Sequence, residues 1–215
     1  MTETAFPLRP TPTVPVEGGP AFPVRRVLCV GRNYAAHRRE MGGDDRDPPF
    51  FFAKPADAIV PPGQDVAYPT ATADLHHEIE LVVAIGPGGA VFGHAVGVDL
   101  TRRDLQNAAK AKGQPWDASK GFDQSAPISA IRRIVSVPGE AAISLSVNGQ
   151  VRQQAAIGDM LWSVPEILTQ AAKLWAVEAG DLIYTGTPEG VGPLVRGDLV
   201  EGQIAGVGAL SFRIV

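Results

Sequence analysis

Two glutamates one residue apart, Glu78 and Glu80, stand in the run His76-His77-Glu78-Ile79-Glu80-Leu81-Val82-Val83. Strand side chains alternate, so the two carboxylates share one face while Ile79, Leu81 and Val83 share the other. Such carboxylates repel each other unless a cation or solvent separates them. An edge strand with a wet face satisfies that condition, and so does a divalent-metal site. Oxygen donors suit Mg²⁺, Mn²⁺ or Ca²⁺ better than zinc. His76 falls on the same face, which also leaves a His/Glu zinc site open. Asp99 closes a later apolar strand just before a helix start and could supply a third carboxylate. Arg103, Gln106 and Lys110 follow it at spacings of four, three and four, one stripe on a 3.6-residue period. A solvated helix face has that pattern too, but this stripe begins at a candidate ligand and so also reads as the wall of a site.

A candidate general base lies nearer the N-terminus. His37 and Glu40 are three apart, hence neighbours on one helix face. A carboxylate beside an imidazole orients it and raises its basicity, which water activation requires. An exposed pair has the same spacing, and the neighbouring Arg38 and Arg39 fit exposure. Lys54 follows three phenylalanines, and Lys120 lies in Ser119-Lys120-Gly121-Phe122. Such lysines either snorkel to water or bring positive charge to an anionic pocket. Tyr184-Thr185-Gly186-Thr187-Pro188-Glu189-Gly190-Val191-Gly192 is a Gly-rich turn whose backbone N–H groups could bind a carboxylate. It lacks the Lys-Ser/Thr pair of a nucleotide loop. Cys29, inside an apolar strand, reads as structural.

The elements that must position these residues are mostly short strands. Val27–Val30 is an apolar strand closed by Gly31. Asn33 can cap a short helix, 34–41, stopped by Gly42-Gly43. Further strands are predicted over 50–53, 76–85 and 91–100, then a helix over 102–112. Asn148-Gly149 joins 143–147 to 151–154 as a hairpin. A helix over 165–174 accepts Pro165 in its first turn, and strands follow at 182–184 and 210–215. Residues 1–23 hold six of the 19 prolines and read as an extended arm. The remainder, 24–215, reads as one mixed α+β, β-rich domain.

Composition narrows the function classes. The 215 residues suit a single domain with a sizeable core. A net charge of −4 and the lack of a Lys/Arg run give no support to a nucleic-acid partner. Cys29 is the only cysteine, which excludes an internal disulfide framework and a Cys-based zinc site. No apolar run approaches the roughly 18 residues of a membrane span, and no signal-peptide pattern opens the chain. A soluble cytoplasmic protein is expected.

In order, six segments resemble the fumarylacetoacetate hydrolase family, and most closely its small single-domain branch of acylpyruvate and fumarylpyruvate hydrolases. They are Cys29-Val30-Gly31-Arg32-Asn33-Tyr34 through His37 and Glu40-Met41, Phe52-Ala53-Lys54-Pro55, and His77-Glu78-Ile79-Glu80-Leu81. Asp99-Leu100-Thr101-Arg102-Arg103-Asp104-Leu105-Gln106, Pro115-Trp116 with Lys120, and Thr185 through Gly192 complete the set. The connection between Gly86 and Phe92 is shorter than this branch usually carries.

The resemblance implies a β-roll fold, a homodimer, and one Mg²⁺ or Mn²⁺ held by Glu78, Glu80 and Asp99. It makes His37 and Glu40 the water-activating dyad and Lys120 a catalytic residue. Arg32, Lys54, Arg103, Gln106 and Thr187 become contacts to a small 2-oxo acid or diacid. The implied reaction is hydrolysis of the C–C bond of a 2,4-dioxo acid, foremost fumarylpyruvate plus water to fumarate and pyruvate in aromatic-acid catabolism. Gln106 and Lys120 would stabilise the tetrahedral oxyanion. The same site could instead decarboxylate oxaloacetate or tautomerise a 2-oxo acid, and a non-catalytic ligand-binding domain is a third alternative. Loops 42–49 and 113–118 would choose the acyl tail.

Overall fold

The computed structural model describes residues 4–34 and 48–215. The N-terminal segment contributes β1 (Thr13–Val16) and β2 (Gly19–Pro23), an antiparallel hairpin that buries Val14, Val16 and Phe22. Next come β3 (Arg26–Gly31), β4 (Phe50–Lys54), β5 (Ile59–Val60), β6 (Leu75–His77), β7 (Ile79–Ile85), β8 (Val91–Val98) and β9 (Thr101–Arg102). The helix Arg103–Lys112 ends on Gly113, whose φ of 62° is the left-handed turn that a glycine takes without strain. A short helix, Asp117–Lys120, precedes β10 (Ala126–Pro127), β11 (Ala142–Val147) and β12 (Gln150–Ala156). Asn148 and Gly149 both have positive φ, as the predicted two-residue hairpin turn requires. The helix Val164–Leu174 opens on a capping box between Ser163 and Glu166. The chain ends with β13 (Asp181–Tyr184), β14 (Gly192–Leu194), β15 (Leu199–Ile204) and β16 (Gly208–Arg213).

Two sheets carry most of the architecture: β4-β3-β13-β7-β8 and β12-β11-β15-β16. Ile79, Leu81, Val96 and Val98 of the first face Ile143, Leu145, Val200, Ile204 and Phe212 of the second across one apolar core. The opposite face of β7 offers Val82 and Ala84, which pack with Cys29, Ala95, Leu182 and Tyr184 beneath the N-terminal hairpin. The helix Val164–Leu174 adds Ile167 to Leu28, Val83, Ile85 and Ile183. Truncating a side chain such as Leu81 would cost about 2–5 kcal/mol, the price of a core cavity. Among the described residues, no helix is long and apolar enough to cross a membrane.

The predicted single strand over 76–85 is two strands. The chain leaves the β14-β6-β9 sheet at His77, passes through Glu78, and enters the five-stranded sheet at Ile79. Alternation within β7 holds, but both of its faces are covered, so no wet edge exists there. The short link after β7 is a turn closed by the Gly86 N–H donating to Ala90 O at 2.8 Å. It returns β8 antiparallel to β7 in a register that sets Glu80 opposite Gly97 and Ile79 opposite Val98. One step further, the Asp99 N–H donates to the Glu78 carbonyl at 2.8 Å.

Candidate metal centre

That register brings the three carboxylates together. Oxygens of Glu78, Glu80 and Asp99 all lie within 4.8 Å of one another. The carboxylates are buried, Glu80 at 1% exposure and Asp99 at 0%. Burial, with Asp99 and Glu78 close by, pushes the Glu80 carboxyl well above the usual carboxylate range. Glu80 Oε2 accepts the Gly186 N–H at 2.7 Å, which fixes its rotamer. Asp99 Oδ1 is 2.8 Å from Lys54 Nζ, yet accepts no hydrogen bond. Three converging hard oxygen donors fit a divalent cation such as Mg²⁺ or Mn²⁺. His76 is not among these donors, so the zinc alternative loses its nitrogen ligand.

Internal cations balance the triad. Lys120 Nζ donates to Asp99 Oδ2 at 2.6 Å, Glu78 Oε2 at 2.8 Å and Thr101 Oγ1 at 2.7 Å. Burial pulls this ammonium's pKa down, but Asp99 and Glu78 more than offset that and hold it above the ordinary lysine value. Lys54, equally buried, pairs with Asp99 and donates to the carbonyls of Leu100 and Lys120. Its ammonium therefore braces Asp99 and is absorbed by protein partners. Neither lysine snorkels to water.

The helical stripe is a wall. Glu78, Glu80, Asp99, Arg103, Gln106, Lys110, Lys120 and Thr187 line one pocket, joined by Arg32 and Trp116. Arg103 is held from three directions. Nη2 contacts Glu78 Oε1, Nη1 donates to Gln106 Oε1 at 2.6 Å, and Nε lies 3.4 Å from His76 Nδ1. His76 Nε2 in turn contacts Asp74 Oδ1 at 2.9 Å. Because Arg103 occupies the carbonyl oxygen of Gln106, the amide Nε2 is the end left to donate into the pocket.

The Gly-rich turn after β13 closes the site. At Gly186, φ is 98° and an added Cβ would meet Asn33 Cβ at 2.6 Å, so this position demands glycine. Thr187 Oγ1 accepts from Gln153 Nε2 at 2.8 Å, which frees its own hydroxyl hydrogen for a ligand. Gln153 also donates to Pro188 O, while its Oε1 receives His77 Nδ1 and the Ile79 N–H. Asn33, read from the sequence as a helix cap, uses its side chain to tie Thr185 O to the backbone of Trp162.

His37 and Glu40 lie outside the described residues, as does the predicted helix beyond Tyr34. The structure brings together Glu78, Glu80, Asp99, Arg103, Gln106, Lys120, Thr187 and Arg32. Gln153 and Thr101 escaped the sequence reading. Gln153 lies in a polar hairpin strand with no local signal, and Thr101 is one threonine among many.

Among known proteins, residues 26–215 match the family described as Fumarylacetoacetate (FAA) hydrolase C-terminal. The crystal structure of fumarylpyruvate hydrolase from Pseudomonas aeruginosa, in complex with Mn²⁺ and pyruvate, is similar at a TM-score of 0.94. Its sequence is 48% identical, and 99% of each chain is covered. Oxaloacetate tautomerase FAHD1, mitochondrial, of Mus musculus is 39% identical over 202 residues, 88% of this chain and 91% of its own. Oxaloacetate tautomerase YcgM of Escherichia coli (strain K12) is 40% identical over 190 residues, 82% and 87% of the two chains.

Proposed function

This chain belongs to the fumarylacetoacetate hydrolase family, and within it we propose a divalent-cation-dependent hydrolase of 2,4-dioxo acids. The foremost substrate is fumarylpyruvate, which with water yields fumarate and pyruvate in aromatic-acid catabolism. The observation that carries this reading is the meeting of three buried carboxylates with Arg103 and Gln106 in one pocket. The similarity to the Pseudomonas aeruginosa hydrolase extends over the whole chain and supports it.

Mg²⁺ or Mn²⁺ held by Glu78, Glu80 and Asp99 would supply Lewis-acid stabilisation of developing enolate charge. His37, oriented by Glu40, takes a proton from water as it adds to the C4 carbonyl. Gln106 Nε2 donates to the resulting oxyanion, a contribution of about 10²–10³ in rate for one such donor. Lys120 adds a second donor only by turning one hydrogen away from its carboxylate partners. Arg103 and the Thr187 hydroxyl hold the pyruvyl carboxylate. The C3–C4 bond then breaks, and a proton returned to C3 completes pyruvate. In this reading the protein is a homodimer, as the resemblance implies, and cytoplasmic, as its composition suggests.

A second reading is oxaloacetate tautomerisation, favoured by the relatives that carry that name. Decarboxylation of oxaloacetate would use the same enolate-stabilising groups. Neither needs an attacking water. Assays of fumarylpyruvate and oxaloacetate in parallel, with and without chelator, decide among them.

A further inference from the structure

The cations on the pocket wall outnumber what the carboxylates need. Glu78, Glu80 and Asp99 bring at most three negative charges, and Lys54, Lys120 and Arg103 bring three positive ones, each in contact with that cluster. Arg32 and Lys110 line the same pocket, and among the described residues neither makes an ion pair. Arg32 stands just past β3 with φ at 62°, and its buried Nε has no hydrogen-bond partner. Lys110 Nζ lies 5.1 Å from the centre of the Trp116 ring and forms no salt bridge among the described residues. Burial, then the charges of Arg103 and Arg32, bring its pKa down to about 8. Two such cations facing one cavity make a candidate anion site beside the triad.

The spacing suits a second carboxylate on the same substrate. Lys110 lies seven residues beyond Arg103 on one helix, about 10 Å along the axis at a rise of about 1.5 Å per residue. The extended chain of a seven-carbon diacid, together with one lysine side chain, covers that distance. Beside Lys110, Trp116 and Phe52 line the same pocket, 5.9 Å apart, and Trp116 packs edge-on to Phe50 at 4.8 Å. This aromatic wall matches a planar unsaturated tail.

We propose that Lys110, with Arg32, binds the far carboxylate of a dicarboxylic 2,4-dioxo acid and sets the preference for diacids over acylpyruvates with uncharged tails. The inference rests on the hydrolase reading and narrows its substrate class.

The test compares kcat/KM for fumarylpyruvate and acetylpyruvate in the Mn²⁺-loaded wild type, Lys110→Met and Lys110→Arg. Lys110→Met should lower the fumarylpyruvate value about tenfold or more relative to the acetylpyruvate value, the order of one charge-assisted hydrogen bond. The change falls mainly in KM, and Lys110→Arg restores most of it. Equal loss on both substrates would overturn the proposal. Calorimetric binding of 2-oxoadipate and 2-oxohexanoate gives a readout without turnover. The wild type should prefer the diacid and Lys110→Met should lose that preference. If neither acylpyruvate is cleaved while this preference holds, the hydrolase reading fails and the anion site stands. Cleavage without the preference would remove the site and leave the hydrolase.

Discussion

Lys120 Nζ lies 2.6 Å from Asp99 Oδ2, deep in the site, where it also holds Glu78. The ammonium is thus a built-in counter-ion for a cluster that buries three carboxylates. Removing one partner of a buried ion pair strands the other charge, at about 3–5 kcal/mol. Lys120→Met should therefore destabilise the chelated protein by about that amount. Mn²⁺ should rescue the variant more than it stabilises the wild type. Denaturant unfolding with and without Mn²⁺ measures both, and an unchanged chelated midpoint would contradict the role.

Cation uptake should depend on pH through Glu80. Its carboxyl is raised in the folded state, first by burial and then by Asp99 and Glu78. The metal-free folded protein therefore keeps a proton that the unfolded chain gives up. Metal-free stability should fall as pH rises from the ordinary carboxylate range toward the raised value. A bound cation displaces that proton, so apparent affinity rises over the same interval. Calorimetry in buffers of different ionisation enthalpy should detect proton release, and pH-independent binding without release would refute it.

Gly186→Ala tests the link between the Gly-rich turn and the triad. The new methyl would meet Asn33 Cβ at 2.6 Å at a φ of 98°, a strain of about 1–3 kcal/mol. The backbone shift that relieves it moves the N–H that holds Glu80. Weaker Mn²⁺ affinity should accompany the lower melting point. Lost stability with unchanged affinity would mean that the turn does not position Glu80.

His37→Ala separates the candidate reactions. Losing a general base costs about 10²–10⁴ in rate, so C–C hydrolysis should nearly vanish while Mn²⁺ binding is retained. Oxaloacetate tautomerisation or decarboxylation, which needs no attacking water, should survive in the same variant. Equal loss of hydrolysis and Mn²⁺ binding would make the segment structural.

Much of the site was legible because carboxylates inside apolar runs are costly and rarely accidental. Glu78, Glu80 and Asp99 announced themselves in this way, and Arg103, Gln106 and Lys110 did so by helical spacing. The hairpin at Asn148-Gly149 was equally readable, since both turn residues must accept positive φ. The break between β6 and β7 at Glu78 was not, because leaving one sheet for another depends on pairing partners distant in sequence. Gln153 was hidden for the same reason. Its four contacts reach His77, Ile79, Thr187 and Pro188, none of them local. The bracing position of Lys54 depended on where Asp99 and the carbonyls of Leu100 and Lys120 converge.

The most direct measurement incubates the purified protein with fumarylpyruvate and Mn²⁺ in water labelled with heavy oxygen, beside a chelated control, and separates the products. Equal amounts of fumarate and pyruvate, with label in the new fumarate carboxylate and no products under chelation, are the predicted result. Intact fumarylpyruvate alongside rapid conversion of oxaloacetate would contradict the hydrolase and leave the enolate-forming chemistry as the function.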